Sequence, residues 1–195
     1  MYNFDFYNPT QIVFGKDRLA ELTLYVPKDK KVLLLYGGGS VKKHGTLQKV
    51  ADVLKDYEVL EFGGIEPNPR FETLMKAVEI VKKENIGFLL AVGGGSVMDG
   101  TKFIALASNY KGNNPEEILY KGYKSAGISE AVPFGTVVTL PATGSEMNSG
   151  GVISYGTSKY VVFSPLTFPK FSFLDPALTY TLPETQVANG IVDAF

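Results

Sequence analysis

Phe88-Leu89-Leu90-Ala91-Val92-Gly93-Gly94-Gly95-Ser96, continued by Val97 to Ala107, is the stretch whose reading decides the fold. Its first five residues form an unbroken apolar run, as expected for a parallel strand covered on both faces, where an edge or half-exposed strand would alternate. Three glycines then permit a sharp turn. The segment Val97 to Ala107 reads as a helix with Thr101, Ile104 and Ala105 on its inner face.

The same unit occurs earlier in the chain. Val32-Leu33-Leu34-Leu35-Tyr36 is followed by Gly37-Gly38-Gly39-Ser40, again ahead of a helical pattern. Thr136-Val137-Val138-Thr139-Leu140 is a third apolar run, and Val59-Leu60-Glu61-Phe62 a weaker fourth. Between them, Leu47, Val50, Ala51 and Leu54 recur at helical spacing, as do Phe71, Leu74, Val78 and Val81. Asn68-Pro69 supplies an N-cap and a first-turn proline for the second of these helices. Strand and helix alternate, which predicts a doubly wound α/β parallel sheet. Ahead of it, Phe4-Asp5-Phe6-Tyr7 and Gln11-Ile12-Val13-Phe14, separated by Asn8-Pro9-Thr10, suggest an N-terminal β-hairpin, with a short helix around Leu19 to Leu24. Short strands are expected at Gly151–Tyr155 and Lys159–Phe163.

Composition narrows the chemistry. The chain has 195 residues, a formal net charge of −1, no cysteine and a single histidine, His44. Near neutrality gives no electrostatic footprint for nucleic acid. The absence of cysteine excludes disulfide frameworks, thiolate zinc sites and iron–sulfur clusters. No apolar run reaches the roughly 18 residues that span a bilayer, and the N-terminus lacks a secretory pattern. A cytoplasmic protein without membrane or nucleic-acid partners is the expectation. One histidine cannot build a multi-histidine metal site, and His44, beside Lys42 and Lys43, is assigned no role.

Glycine lets a backbone turn tightly and lets a phosphate approach its N–H groups, and the following helix presents its positive end to the anion. Two strand–glycine–helix units therefore suit a dinucleotide. Close strand-to-helix packing alone would also call for glycine, and neither loop is G-x-G-x-x-G, so both readings stand. Glu61 falls about 20 residues after the first glycines, where a carboxylate can hold a ribose hydroxyl; a solvated strand-end charge is the alternative. Thr139-Leu140-Pro141-Ala142-Thr143-Gly144-Ser145-Glu146 places three hydroxyls and a carboxylate on a short turn suited to a coenzyme's polar groups, though such turns are also common as mere caps. Thr181-Leu182-Pro183-Glu184 has capping-box spacing ahead of Val187, Ile191 and Ala194 at helical intervals. That helix runs to Phe195 without a stop signal and is expected to be interrupted in its interior; a short terminal helix docked on the core is the alternative.

Together these segments resemble the iron-containing alcohol dehydrogenase family, especially its butanol dehydrogenase and broad-range aldehyde reductase branch. The matching pieces are Phe14-Gly15, Tyr36 through Lys43, Gly63 through Pro69, Gly93 through Lys102, Thr139 through Glu146, Leu174-Asp175-Pro176 and Val187 through Phe195. The resemblance implies a Rossmann-like coenzyme domain over residues 1–180. Residues 181–195 would start the first helix of a helical, metal-binding second domain, most of which is absent from this chain. It implies that Gly38, Gly39 and Ser40 face the adenosine ribose and Asn68 lies near the adenine side. Gly94, Gly95 and Ser96 would hold the pyrophosphate, with Asp99 by the nicotinamide. Thr139, Thr143 and Ser145 would line the phosphate and nicotinamide ribose, with Lys159 and Leu178 also at the coenzyme. Asp193 matches the family's first ligand for a divalent metal, iron or zinc; the histidine ligands would follow beyond Phe195.

The first loop carries glycine where NAD-preferring relatives tend to carry an acidic residue, so NADP is the expected coenzyme, with NAD possible. The implied reaction interconverts small alcohols and aldehydes in an enzyme forming a homodimer, and the isolated chain is expected to be inactive. A stand-alone nucleotide-binding module and a glycerol dehydrogenase- or dehydroquinate synthase-like enzyme are the alternatives.

Overall fold

The structure, a computed structural model, describes residues 3–5 and 7–194, the last by its backbone alone. Six strands form one parallel sheet: β1 (Gln11–Phe14), β2 (Val32–Tyr36), β3 (Val59–Phe62), β4 (Phe88–Gly94), β5 (Phe134–Leu140) and β8 (Phe171–Leu174). Their spatial order is β1-β8-β5-β4-β2-β3. Strands β6 (Gly150–Tyr155) and β7 (Ser158–Phe163) make a separate antiparallel hairpin. The helices are α1 (Ser40–Lys43), α2 (Thr46–Val53), α3 (Phe71–Lys83), α4 (Gly95–Ala107), α5 (Glu117–Ser125) and α6 (Glu184–Ala194).

The continuous apolar runs become buried strands, and alternate residues serve opposite faces. Leu33, Leu35, Leu89 and Ala91 join the core under α3, α4 and α5. Val32, Leu34, Leu90 and Val92 join the core under α1, α2 and the 3-10 turn Leu19–Leu24. After β2 the chain leaves to one face; after β4, its neighbour in the sheet, it leaves to the other. The two glycine turns thus diverge at a topological switch point, the place where open α/β sheets bind ligands. Helix α4 is buried along nearly its whole circumference, with the β6–β7 hairpin and α3 packed against it. That is why its apolar residues are not confined to one stripe.

Three local expectations are corrected. Gln11–Phe14 makes no hairpin with the preceding aromatic run; it pairs in parallel with Phe171–Leu174 as an edge strand. Phe6 lies outside the described residues, and the described residues around it carry no strand. Asn8 explains the difference: its carboxamide accepts from Thr10 N at 2.9 Å and donates to Met147 O at 2.6 Å, so the turn ties to a distant loop and not to a returning strand. The N-cap of α3 is Arg70, in extended conformation, and not Asn68. Pro69 O accepts from Ser154 N at 2.8 Å, which holds the chain extended alongside β6 until the helix can begin. Helix α6 begins at Glu184, with Pro183 O accepting from Gln186 and Val187, so Glu184 opens the helix and does not occupy the third position of a capping box set by Thr181. Phe195 lies outside the described residues. The two short strands appear where expected, and β8 and α5 are additions to the expected elements.

Candidate functional site

The first glycine turn is held to the loop after β3 by Gly64 N→Gly37 O and Ile65 N→Tyr36 O. Gly39 has φ +117°, a conformation that favours glycine. Gly38 has neither constraint: its φ is ordinary, and a Cβ there would meet nothing within 4 Å. Its surroundings inside the chain give no reason for a missing side chain.

The second turn is crowded. A Cβ on Gly93 would come 2.7 Å from Val97 Cγ2, on Gly94 3.0 Å from Leu140 Cβ, and on Gly95 2.7 Å from Thr143 Oγ1. The glycines let the turn after β5 close down on the start of α4. Among the described residues no side chain caps α4, and its first turn holds no carboxylate. The amides of Gly95, Ser96 and Val97 lack helical partners by construction, so an uncancelled positive helix end opens at the switch point.

Polar groups converge around that end. Asn68 N donates to Ser96 Oγ at 3.3 Å, and Lys159 Nζ donates to Asn68 Oδ1 at 2.7 Å, so Asn68, Ser96 and Lys159 form one cluster. Asp99 Oδ1 accepts from Ser145 Oγ at 2.7 Å, and Asp99 Oδ2 accepts from Val152 N at 2.9 Å. Gly151 is required beside it, because a Cβ there would lie 3.0 Å from Asp99 O. Thr143 Oγ1 accepts from Ser145 N at 3.3 Å. Ser40, Thr139 and Leu178 line a small cleft at the tips of β2 and β5, shared with His44, itself exposed. Thr143, Glu146 and Asp193 line a larger cleft of about 620 Å³ between the turn after β5 and α6. Gly190 lets α6 cross that turn, since a Cβ there would lie 2.7 Å from Pro141 O.

Glu61 sits on the edge strand β3, half exposed, where it accepts from Tyr36 OH at 3.3 Å and lies 3.9 Å from Lys42 Nζ. Lys42 also stacks over the Tyr36 ring at 4.8 Å, and the hydrogen bond to Tyr36 raises its pKa. This is the setting of a partnered strand-end charge. The residues expected at the coenzyme thus lie in three neighbouring places: Ser40, Thr139 and Leu178 in the small cleft, Thr143 and Asp193 in the larger one, and Asn68 and Lys159 with Ser96 at the start of α4.

The sequence reading left Lys102 without a role. It is fully enclosed, and Nζ donates to Ser145 Oγ at 2.8 Å, Asn148 Oδ1 at 2.7 Å and Gly150 O at 2.7 Å. Burial pushes its pKa down to about 8, against the opposing pull of Asp99 and Glu146. A lysine followed directly by the apolar run Phe103–Ala107 was the available signal.

The family model for iron-containing alcohol dehydrogenases matches residues 9–176, which spans both glycine turns and the turn after β5. The chain belongs to that family. Among its curated relatives, the NADPH-dependent aldehyde reductase YqhD of Escherichia coli K12 is 57% identical over 198 residues, covering 100% of this chain and 51% of that protein. The probable NADH-dependent butanol dehydrogenase 1 of Bacillus subtilis is 48% identical, covering 99% and 50%. The crystal structure of Escherichia coli YqhD superposes with a TM-score of 0.94 at 56% identity, covering 98% of this chain and 50% of that one. The NADH-dependent butanol dehydrogenase A of Thermotoga maritima superposes with a TM-score of 0.90 at 40% identity, covering 100% and 49%. The chain spans about half the length of the curated relatives it matches. Among the described residues no helix is long and apolar enough to cross a membrane.

A dinucleotide fits the first test of the site, since the open Gly38 and the uncapped, acid-free start of α4 offer bare backbone to an anion. A metal ion does not fit the same test. Among the described residues no three of histidine, aspartate and glutamate come together, and Asp193 offers a single carboxylate.

Proposed function

We propose that this chain is the coenzyme-binding domain of an NADP-linked, metal-dependent alcohol dehydrogenase or aldehyde reductase acting on small alcohols and aldehydes. One observation carries the reading: the positive, uncapped end of α4 opens at the switch point beside the turn after β5. Charge there is worth about 0.3–1 kcal/mol per contact in exposed settings and up to ~2 kcal/mol when partly buried. Gly94, Gly95 and Ser96, at that helix start, would receive the pyrophosphate. Gly38, Gly39 and Ser40 take the adenosine ribose end, Asn68 and Lys159 the adjoining polar edge, and Thr139, Thr143, Ser145 and Leu178 the wall of the crevice. Asp99, fixed by two donors, faces the nicotinamide end.

The nicotinamide supplies the hydride when bound; the residues here orient it. The NADP preference is supported by a first turn without a carboxylate, by Lys42 and Lys43 beside it, and by the NADPH dependence named for the reductase from Escherichia coli. NAD remains the coenzyme named for the butanol dehydrogenases of Bacillus subtilis and Thermotoga maritima.

Residues 1–180 make up the coenzyme domain in this reading, and residues 181–195 open a helical second domain. The support is the uncovered apolar face of α6, where Val187, Ile191 and Val192 are 45%, 65% and 75% exposed. Asp193 would supply one ligand to iron or zinc, with the remaining donors outside this chain, and the isolated chain turns over neither butanol nor butanal. A cytoplasmic homodimer completes the proposal. Calorimetric titration of the purified chain with NADPH and NADH tests the coenzyme assignment. Tighter NADPH binding is expected. Tighter NADH binding reverses the preference, and a folded chain that binds neither removes the reading.

A further inference from the structure

Lys102 sits in the third turn's worth of α4 from its start, enclosed on all sides, and its ammonium spends all three donors on Ser145, Asn148 and Gly150. Ser145 Oγ therefore accepts from Lys102 and must turn its own proton elsewhere. It donates to Asp99 Oδ1 at 2.7 Å, and Asp99 Oδ2 takes the amide of Val152 at 2.9 Å. One directed chain of hydrogen bonds thus ties α4, the turn after β5 and strand β6. Asp99, partly exposed, follows the open start of α4, and Ser145 belongs to the turn after β5 whose Thr143 closes down on Gly95.

A buried ammonium is costly, and an apolar side chain of similar length would fill the same space without desolvating a charge. What an apolar side chain would lose is direction. The Ser145 hydroxyl would be free to rotate, and Asp99 would keep one fixed donor where it now has two.

We propose that Lys102 is a positioning residue of the coenzyme site, which fixes the Ser145 hydroxyl on Asp99 and so sets the carboxylate and the Thr143–Ser145 turn for the nicotinamide end of a dinucleotide. This rests on the dinucleotide reading above. The adenosine end, at the first glycine turn, has no bond to this network.

The charges facing Lys102 are Asp99 from its own helix and Glu146 from the 3-10 turn Ser145–Met147; β6 and the loop before it offer the neutral Gly150 O and Asn148. With a pKa of about 8, the ammonium is present at neutral pH and lost as pH rises through that value. A neutral amine has only two N–H donors for the three acceptors, so the network loosens. Coenzyme affinity should fall over that interval. Stability should move the other way: between about 8 and the ordinary 10.5 the unfolded chain binds the proton that the folded chain has released, so folding is favoured as pH rises.

The test is titration of the purified chain with NADPH and with adenosine 2′,5′-bisphosphate, which carries only the adenosine end. Lys102→Met should weaken NADPH by roughly tenfold or more, the contribution of a hydrogen bond to a charged group, while the bisphosphate changes by less than about twofold. The fall in NADPH affinity through pH 8 should vanish in the variant. If Lys102→Met does not fold, the parent chain decides by its pH profile: NADPH affinity should fall through pH 8 while bisphosphate affinity does not, and equal profiles for the two probes overturn the proposal. Equal weakening of both probes, or unchanged NADPH affinity, overturns the proposal. A folded wild-type chain that binds neither probe overturns the dinucleotide reading itself.

Discussion

The two glycine turns have the same sequence, Gly-Gly-Gly-Ser, at residues 37–40 and 93–96, and they need their glycines for opposite reasons. At the second turn the demand is steric. Gly93, Gly94 and Gly95 have no positive φ, yet each would drive a Cβ to 3.0 Å or closer against Val97, Leu140 or Thr143. At the first turn Gly37 would meet Ile65 O at 3.2 Å, Gly39 is held at φ +117°, and Gly38 is unconstrained. Packing explains the second turn whether or not a ligand ever visits. Only the first contains a glycine that the chain's own geometry does not require. The helices behind them differ too: α4 is 13 residues long and aims a full helix end at the crevice, while α1 has four residues.

Substitutions separate the two cases. The largest effect is expected at Gly93→Ala, since the new methyl meets Val97 Cγ2 at 2.7 Å and Val97 Cβ at 3.0 Å inside a buried strand-to-helix turn. Overpacking of this kind costs about 1–3 kcal/mol. Urea unfolding measures it; an unchanged midpoint would mean that the turn relaxes freely and that the steric account of the second loop is wrong. Gly39→Ala should come next. It meets no atom within 4 Å, but an L-residue at φ +117° is strained by about 1–2 kcal/mol. Its loss of stability should appear without any change in the packing of the turn after β5, and a variant as stable as the parent would show that the first loop can adopt another conformation.

The sheet was legible because burial on both faces leaves a strong mark. Val32–Tyr36 and Phe88–Val92 are unbroken apolar runs, and glycines follow each at the strand tip. The edges left weaker marks. Strand β8 is only Phe171–Leu174, set between Pro169 and Pro176, too short to show a period; α5 is interrupted by Gly122 at φ 73°, ψ 164°. The N-terminal hairpin was misread because Phe4 to Tyr7 and Gln11 to Phe14 both resemble strands, while the partner of the second lies 160 residues on at Phe171, a pairing that no local pattern announces. At the site, the residues on strand tips and turns were readable one by one. The bonds among them were not, because Lys102 contacts Ser145, Asn148 and Gly150 only after the hairpin folds over α4. Its place beside an apolar run was visible; its partners were not.

Gly38→Ala is the smallest change and bears most directly on function. Its φ is not positive, so alanine is tolerated, and a methyl there points into open space. Stability should stay within about 0.5 kcal/mol of the parent, as for surface positions without special geometry, or rise slightly through the stiffer unfolded chain. If the open space is where the adenosine ribose end of a coenzyme approaches bare backbone, the same methyl should weaken NADPH and adenosine 2′,5′-bisphosphate alike, because both carry that end. The pattern differs from that expected for Lys102→Met, which weakens NADPH and spares the bisphosphate. Thermal unfolding and the two titrations on one preparation decide it: a Gly38→Ala chain that keeps its stability and its affinity for both probes would leave the first turn as a connection between strand and helix, and would confine the coenzyme to the second.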